Sequence, residues 1–146
     1  MMTDPKSGAG ILVRTLQQAA ADGPTPQKGD TVLVQYEGFL EDSPTQSFCS
    51  SKHCNNNDCP LPLSIIIGED HVMEGWQIVL PHIRLNQRVE VTIPHLYAYG
   101  EQGYPPKIPS RSTLVFTMEI IQIDSSRRLA RNKRTTWWWW WRWWFW

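Results

Sequence analysis

One stretch, Gly68–Trp76, constrains how this chain of 146 residues can fold. The apolar run Leu63–Ile67 leads into it and predicts a strand, and a short amphipathic helix begins within it. Pro81 and Asn86 limit how far that helix can extend. A large ring at the start of a short helix, directly after a strand, can form the floor of a cavity or simply fill the core. The helix is indicated by apolar residues at i, i+3, i+4 and i+7, namely Trp76, Val79, Leu80 and Ile83.

Three further segments alternate between apolar and polar residues, which is the pattern of strands with one buried face. They are Thr31–Leu40, Arg88–Ile93 and Thr113–Ile123, and Ile11–Leu16 is predicted as a first strand. The chain is therefore predicted to belong to the α+β class, with a curved antiparallel sheet and one short helix lying across its apolar face.

The remaining segments are predicted as loops from their composition. Glu41–Ser47 is polar, and Lys52–Cys59 is polar and rich in asparagine. Pro94–Ser112 is long and rich in proline, glycine and tyrosine, and loops of this length in compact domains are usually functional or disordered. Met1–Gly10 is predicted to be a disordered N-terminus.

The net charge of zero conceals a strong asymmetry along the chain. All 14 acidic residues lie at or before Asp124, together with eight of the 14 Lys and Arg residues. We therefore predict an acidic domain over residues 11–124 and a basic, tryptophan-rich tail over residues 125–146. Three cysteines and the lack of a secretory signal in Met1–Gly10 predict a cytoplasmic protein with free thiols. No nucleotide-phosphate motif is present, and no nucleic-acid partner is expected.

Four motifs, in register and near the expected spacing, resemble the FKBP-type peptidyl-prolyl cis-trans isomerases over Ile11–Asp124. They are Val72–Trp76, Tyr97–Gly100, Gly103–Pro105 with Ile108–Pro109, and Thr113–Phe116. The resemblance implies a half-barrel sheet wrapped around one helix, with a shallow apolar pocket between them. It also implies a monomeric rotamase that acts on proline-containing peptides or proteins without a cofactor and binds macrolides such as tacrolimus and rapamycin. The alternative is a binding module of the same fold that holds a proline-containing partner with little or no catalysis.

Site residues follow from the resemblance by matching positions. Trp76 would form the floor, Phe116 and Tyr36 the walls, and the Ile108 N–H and the Tyr99 hydroxyl would donate to ligand carbonyls. The expected catalytic set is Tyr36, Phe48, Trp76, Tyr99 and Phe116. The expected ligand-binding set is Cys49, Leu63, Val72, Met73, Tyr104 and Ile108.

Three positions depart from the family pattern. Cys49 stands where the family usually has an aspartate that accepts a hydrogen bond, and a neutral thiol is a poor acceptor. Leu63 replaces a second aromatic wall, and Tyr104 replaces a histidine of the tip loop. We therefore expect the apolar cage to be kept and its polar anchoring to be weakened.

Two features admit more than one interpretation. The ligand types of Cys49, His53, Cys54 and Cys59 suit zinc, but their spacing does not, so no metal site is predicted. A Cys54–Cys59 disulfide and free thiols are the other possibilities.

The Trp137–Trp146 tract is too short to cross a bilayer, but tryptophan beside arginine favours a membrane interface. Because tryptophan has a single codon, a misread gene end or a non-native extension would produce the same tract.

Changing Cys49 to aspartate is expected to strengthen tacrolimus binding. A charge-assisted hydrogen bond is worth about 1.5–3 kcal/mol, and isothermal titration calorimetry would measure the gain. Cys49→Ser, which adds no charge, is the control. An affinity unchanged by Cys49→Asp would count against the alignment at this position.

Overall fold

In the computed structural model, which describes residues 10–51 and 62–131, the chain forms an antiparallel sheet curved around one short helix. The described residues give six strands. They are β1 (Leu12–Gln17), β2 (Thr31–Leu40), β3 (Ser43–Ser50), β4 (Leu63–Ile66), β5 (Arg88–Ile93) and β6 (Leu114–Asp124). The helix α1 spans Glu74–Val79, and 3-10 turns follow at Leu80–His82 and His95–Tyr97. The predicted half-barrel fold is confirmed.

The strand order is β1-β5-β6-β2-β3, and the short strand β4 also pairs with β2. One edge of β2 pairs with β6 along its length. The other edge pairs with β4 over Thr31–Val34 and with β3 over Glu37–Leu40. Register shifts interrupt the β2–β6 and β2–β3 ladders, and such irregularities bend a sheet and increase its twist. The bent β2 is therefore shared by the two parts of the sheet that face α1.

Trp76, Val79, Leu80 and Ile83 are all buried, as the pattern predicted, but the helical segment is shorter than predicted. The α-helix ends at Val79, and Pro81 lies in the 3-10 turn that follows. The helical segment ends at His82, because Ile83 is extended, and Asn86, with a positive φ of 62°, lies in the turn before β5. The core between helix and sheet is completed by the inward faces of β2, β5 and β6, including Val34, Val91 and Ile120.

One element was predicted wrongly. The segment Glu41–Ser47 was expected to be a loop, but most of it belongs to β3, which forms a hairpin with β2. Its side chains are mostly exposed or half-buried, because β3 lies at the end of the strand order. An edge strand needs only backbone pairing on one side, so its polar composition resembled that of a loop.

The start of the predicted tail is attached to the domain. Residues 126–131 are helical, and Arg128 Nε donates to the Asp30 carboxylate at 2.6 Å. Arg127 and Arg131 form ion pairs with Glu69 at 3.2 and 2.6 Å. The tryptophan tract and the Cys54–Cys59 loop lie outside the described residues. In the part of the chain that is described, no helix combines the length and apolar character needed to cross a membrane.

Asp30 is the most buried ionisable side chain of these contacts, with 2% of its surface exposed. Burial raises the pKa of its carboxyl, but hydrogen bonds from the Gln27 N–H and from Arg128 outweigh that effect and hold the pKa below its usual value. The ionised form of Asp30 therefore stabilises the folded chain.

Arg128→Gln should lower the free energy of unfolding at pH 7 by about 2 kcal/mol, because it removes a charge-assisted hydrogen bond from a buried carboxylate. Since the pKa of Asp30 is depressed, this difference should be complete above about pH 4, the unfolded value, and disappear as the pH falls through the lower folded value. Urea unfolding across this range measures both effects.

The matched control is Arg14→Gln, which breaks the exposed Arg14–Glu90 pair. Its cost should be below about 1 kcal/mol. Equal losses in the two variants would contradict the role assigned to Asp30.

Candidate active site

A cavity of about 440 Å³ opens between α1, the β3 and β4 side of the sheet, and the loop before β6. The eleven residues expected from the sequence all line it, and one additional residue does as well. The lining consists of Tyr36, Phe48, Cys49, Leu63, Val72, Met73, Trp76, Tyr99, Tyr104, Lys107, Ile108 and Phe116. Seven of the twelve side chains carry no group that ionises or accepts a hydrogen bond strongly, and three more are tyrosines, so the cavity is mainly apolar.

Three aromatic rings from three elements meet at the inner end of the cavity. The indole of Trp76 is 5% exposed, and its centroid lies 5.0 Å from that of Tyr36 and 5.2 Å from that of Phe116. Both contacts are edge-to-face, at interplanar angles of 74° and 89°. Phe48 extends the cluster by a further edge-to-face contact with Phe116 at 5.8 Å. Edge-to-face packing fixes ring orientation, so these four rings give a shaped apolar surface.

The indole N–H of Trp76 is buried and has no hydrogen-bond partner among the described residues. The neighbouring Tyr36 and Phe116 rings stand nearly perpendicular to the indole. A ring face is only a weak hydrogen-bond acceptor, so these rings do not replace the hydrogen bond to water that the indole N–H loses on burial. An orphaned donor is unusual in a well-packed core, and here it belongs to a residue of the cavity lining.

The outer end of the cavity is more polar and more exposed. Tyr99 and Tyr104 are 42% and 61% exposed, and their ring centroids lie 5.7 Å apart. Partial burial, and then the nearby Cys49 and Tyr104, raise the pKa of Tyr99 above its usual value. A tyrosine hydroxyl is protonated at neutral pH even without this shift, so Tyr99 can donate a hydrogen bond.

The Ile108 N–H, which was expected to donate to a ligand carbonyl, is already used within the chain. That N–H donates to the Tyr104 carbonyl at 2.9 Å, and the Tyr104 N–H donates back to the Ile108 carbonyl at 2.8 Å. This reciprocal pair closes a small hairpin, which leaves no backbone donor at Ile108 for a ligand. By contrast, no partner of the Met73 N–H appears among the described residues, and Met73 precedes the first residue of α1.

The aromatic wall depends on a glycine that sequence reasoning missed. A Cβ at Gly38 would lie 2.7 Å from Phe116 Cε1 and from Phe48 Cζ, and 2.9 Å from Cys49 Sγ. Gly38 lies within β2, near its C-terminal end, and glycine inside a strand weakens it and often marks a close approach. Its position within an otherwise alternating strand was the available signal.

Lys107 was also missed, because the resemblance assigned only the neighbouring Ile108 to the pocket. No group of three potential metal ligands occurs within residues 10–51 and 62–131. His53, Cys54 and Cys59, which were considered for zinc, lie outside that part of the chain.

Comparisons with known proteins agree with this geometry. Residues 23–121 match the family model of the FKBP-type peptidyl-prolyl cis-trans isomerases. FK506-binding protein 1 of Yarrowia lipolytica is 40% identical over 116 residues, which cover 79% of this chain and 99% of that protein. FK506-binding protein 1 of Saccharomyces cerevisiae is 38% identical over 104 residues, covering 70% of this chain and 85% of that protein.

A solved structure shows the same fold. The crystal structure of a peptidyl-prolyl cis-trans isomerase from Pseudomonas syringae pv. tomato superimposes with a TM-score of 0.64 at 29% identity. The match covers 79% of this chain and 76% of that one.

Gly38→Ala should displace the Phe48 and Phe116 rings, because contacts of 2.7 Å cannot be accommodated without movement. Overpacking of this kind costs about 1–3 kcal/mol in the free energy of unfolding. Chemical shifts of the two phenylalanine rings in NMR spectra report the displacement directly.

Gly75→Ala is the matched control, since its Cβ would crowd Ile93, which does not line the cavity. It should also cost stability but leave the two phenylalanine rings in place. Unchanged ring shifts in Gly38→Ala would contradict the close approach at this site.

Proposed function

The chain belongs to the FKBP-type peptidyl-prolyl cis-trans isomerases, and we propose that the cavity above Trp76 is where it rotates an X–Pro bond. The observation that carries this proposal is the cluster of Tyr36, Trp76 and Phe116 rings at the closed end of an open cavity. A pyrrolidine ring is flat, apolar and small enough to lie on an indole between two such walls.

The reaction requires no nucleophile. Rotation about an X–Pro bond passes through a twisted amide that has lost its resonance, over a barrier of about 18–20 kcal/mol. No covalent bond is broken, so the protein needs only to bind the twisted amide more tightly than the planar one. An acceleration of about 10⁶ corresponds to lowering the barrier by roughly 8 kcal/mol.

The apolar floor would supply part of this stabilisation. The planar amide is the more polar form and is well solvated by water, whereas the twisted amide loses less when water is removed. Burying the prolyl ring against Trp76 therefore favours the twisted form. The enclosing walls would also hold the peptide in a turn-like pose, which reduces the entropy that must be lost in the transition state.

Two donors would orient the substrate. The Tyr99 hydroxyl is protonated at neutral pH, as a phenol ordinarily is, and its partial burial and its neighbours raise the pKa of Tyr99 further. It can donate to a carbonyl beside the proline. The Met73 N–H, at the boundary between the cavity and α1, is the second donor that we assign. Hydrogen bonds to a carbonyl that strengthen as the amide twists would add electrostatic stabilisation.

The same cavity is proposed to bind macrolides, as the names of the two FK506-binding relatives suggest. A volume of about 440 Å³ lies within the range of small-molecule sites. Cys49 lines the cavity at the position where the family usually has a carboxylate. Macrolide binding should therefore depend mainly on the aromatic surface and less on polar anchoring.

The remaining expectations stay predictions. We propose residues 11–124 as the isomerase domain, and its proposed limits lie close to the start of β1 and the end of β6. The other predictions are the monomeric state, the cytoplasmic location and the interfacial role of the tryptophan-rich tail.

Trp76→Leu and Phe116→Leu should each lower kcat/KM for a chromogenic X–Pro peptide about tenfold or more, because each removes part of the surface that binds the twisted amide. A protease-coupled isomerisation assay measures the rate. Tacrolimus titration of the same proteins measures whether the pocket still binds.

The control is Val79→Ala on the same helix, at a buried position that does not line the cavity. It should reduce stability but change kcat/KM less than threefold. Full activity in both Trp76→Leu and Phe116→Leu would refute the proposed site. Tight macrolide binding without turnover in the unaltered protein would instead indicate a holding function.

A further inference from the structure

Lys107 is the only residue of the described cavity lining that carries a formal charge at neutral pH. Its eleven companions are apolar, are tyrosines, or, in the case of Cys49, carry a thiol. Mainly apolar sites usually carry a few polar or charged groups that orient the ligand and give specificity, and here a neutral prolyl ring offers Lys107 no charge to pair with.

The charge of Lys107 is not neutralised by its surroundings. Within residues 10–51 and 62–131, no carboxylate lies at salt-bridge distance from its ammonium group. The nearest acidic residue along the same loop, Glu101, forms an ion pair with Arg111 at 3.2 Å. Lys107 therefore brings one positive charge to the cavity lining, with no ion-pair partner among the described residues.

The position of Lys107 is set by the backbone around it. The two hydrogen bonds between Tyr104 and Ile108 close a hairpin that contains Lys107, and Ile108 is anchored by its buried side chain. The lysine is itself exposed, so its charge lies at the outer end of the cavity while the aromatic rings form the inner end. A proline bound on Trp76 would thus place its flanking residues, and not its own ring, beside this cation.

We propose that Lys107 is a specificity-determining residue that favours substrates with an aspartate or glutamate next to the isomerised proline. This inference rests on the proposed function, since it assumes that the prolyl ring occupies the aromatic end of the cavity. The acidic residue can stand before or after the proline, because either neighbour leaves the cavity at its outer end.

The expected preference is modest. A pair of exposed charges gains little from Coulomb attraction in water, and such pairs are usually worth no more than about 1 kcal/mol, or fivefold. Added salt should suppress the preference, because the screening length falls from about 10 Å at 0.1 M to about 3 Å at 1 M.

The test compares matched peptides in the isomerisation assay, using the full chain. Glu-Pro and Gln-Pro peptides differ only in charge, as do Pro-Glu and Pro-Gln peptides. At low salt, the ratio of kcat/KM values for at least one acidic–neutral pair should be about three- to fivefold higher in the unaltered protein than in Lys107→Gln. Lys107→Glu should invert the preference. In 1 M NaCl the kcat/KM ratios of the three proteins should become equal.

Lys28→Gln is the matched control, because it removes one positive charge from a lysine that does not line the cavity. It should leave the ratios unchanged. Equal ratios in the unaltered protein and in Lys107→Gln for both peptide pairs would overturn the proposal, and so would an equal change in Lys28→Gln.

Failure of the proposed function would look different, since no peptide would then be isomerised faster than its spontaneous rate. In that case the same peptides would be titrated by NMR. A charge preference in binding that Lys107→Gln abolishes would still support the role of Lys107, and its absence would refute it.

Discussion

The edge-to-face packing of Trp76 between Tyr36 and Phe116 is the interaction on which this structure depends. The three rings come from α1, β2 and β6, so one contact set fixes the helix against the two longest strands of the sheet. The same rings close the inner end of the cavity. Because the core and the site share these side chains, the geometry of the site is determined by the packing that stabilises the fold.

Much of the fold could be predicted because it follows from periodicity. The alternation in Thr31–Leu40 and the i, i+3, i+4, i+7 pattern from Trp76 both reflect burial of one face, and burial is what the sequence records most directly. β3 was missed because most of its side chains are exposed or half-buried, so its sequence lacks a clear alternation of apolar and polar residues. Its pairing with β2 depends on backbone hydrogen bonds, which leave no pattern in the sequence. Burial of Trp76, Val79, Leu80 and Ile83, by contrast, was predicted correctly, although only the first two lie within α1.

The site was predictable to a similar degree and for a different reason. Matching to the family identified every residue of the observed lining except Lys107, but it could not reveal which backbone groups remain available. The Ile108 N–H is used within the Tyr104–Ile108 hairpin, which only the three-dimensional structure shows. Lys107 was not predicted, because an exposed lysine in a loop normally faces solvent. It lines the cavity only because of the conformation of the Tyr104–Ile108 hairpin.

An open apolar cavity of this size is unfavourable for stability, because it leaves apolar side chains in contact with water. It stays open because its walls belong to elements that cannot move independently. β2 is paired on both edges, α1 is held by its buried face, and the absence of a side chain at Gly38 lets Phe48 and Phe116 pack closely without filling the space. The pairing and packing of these elements therefore offset the stability that the open cavity costs. A flexible frame would collapse onto the indole of Trp76 and remove the surface on which a proline can lie.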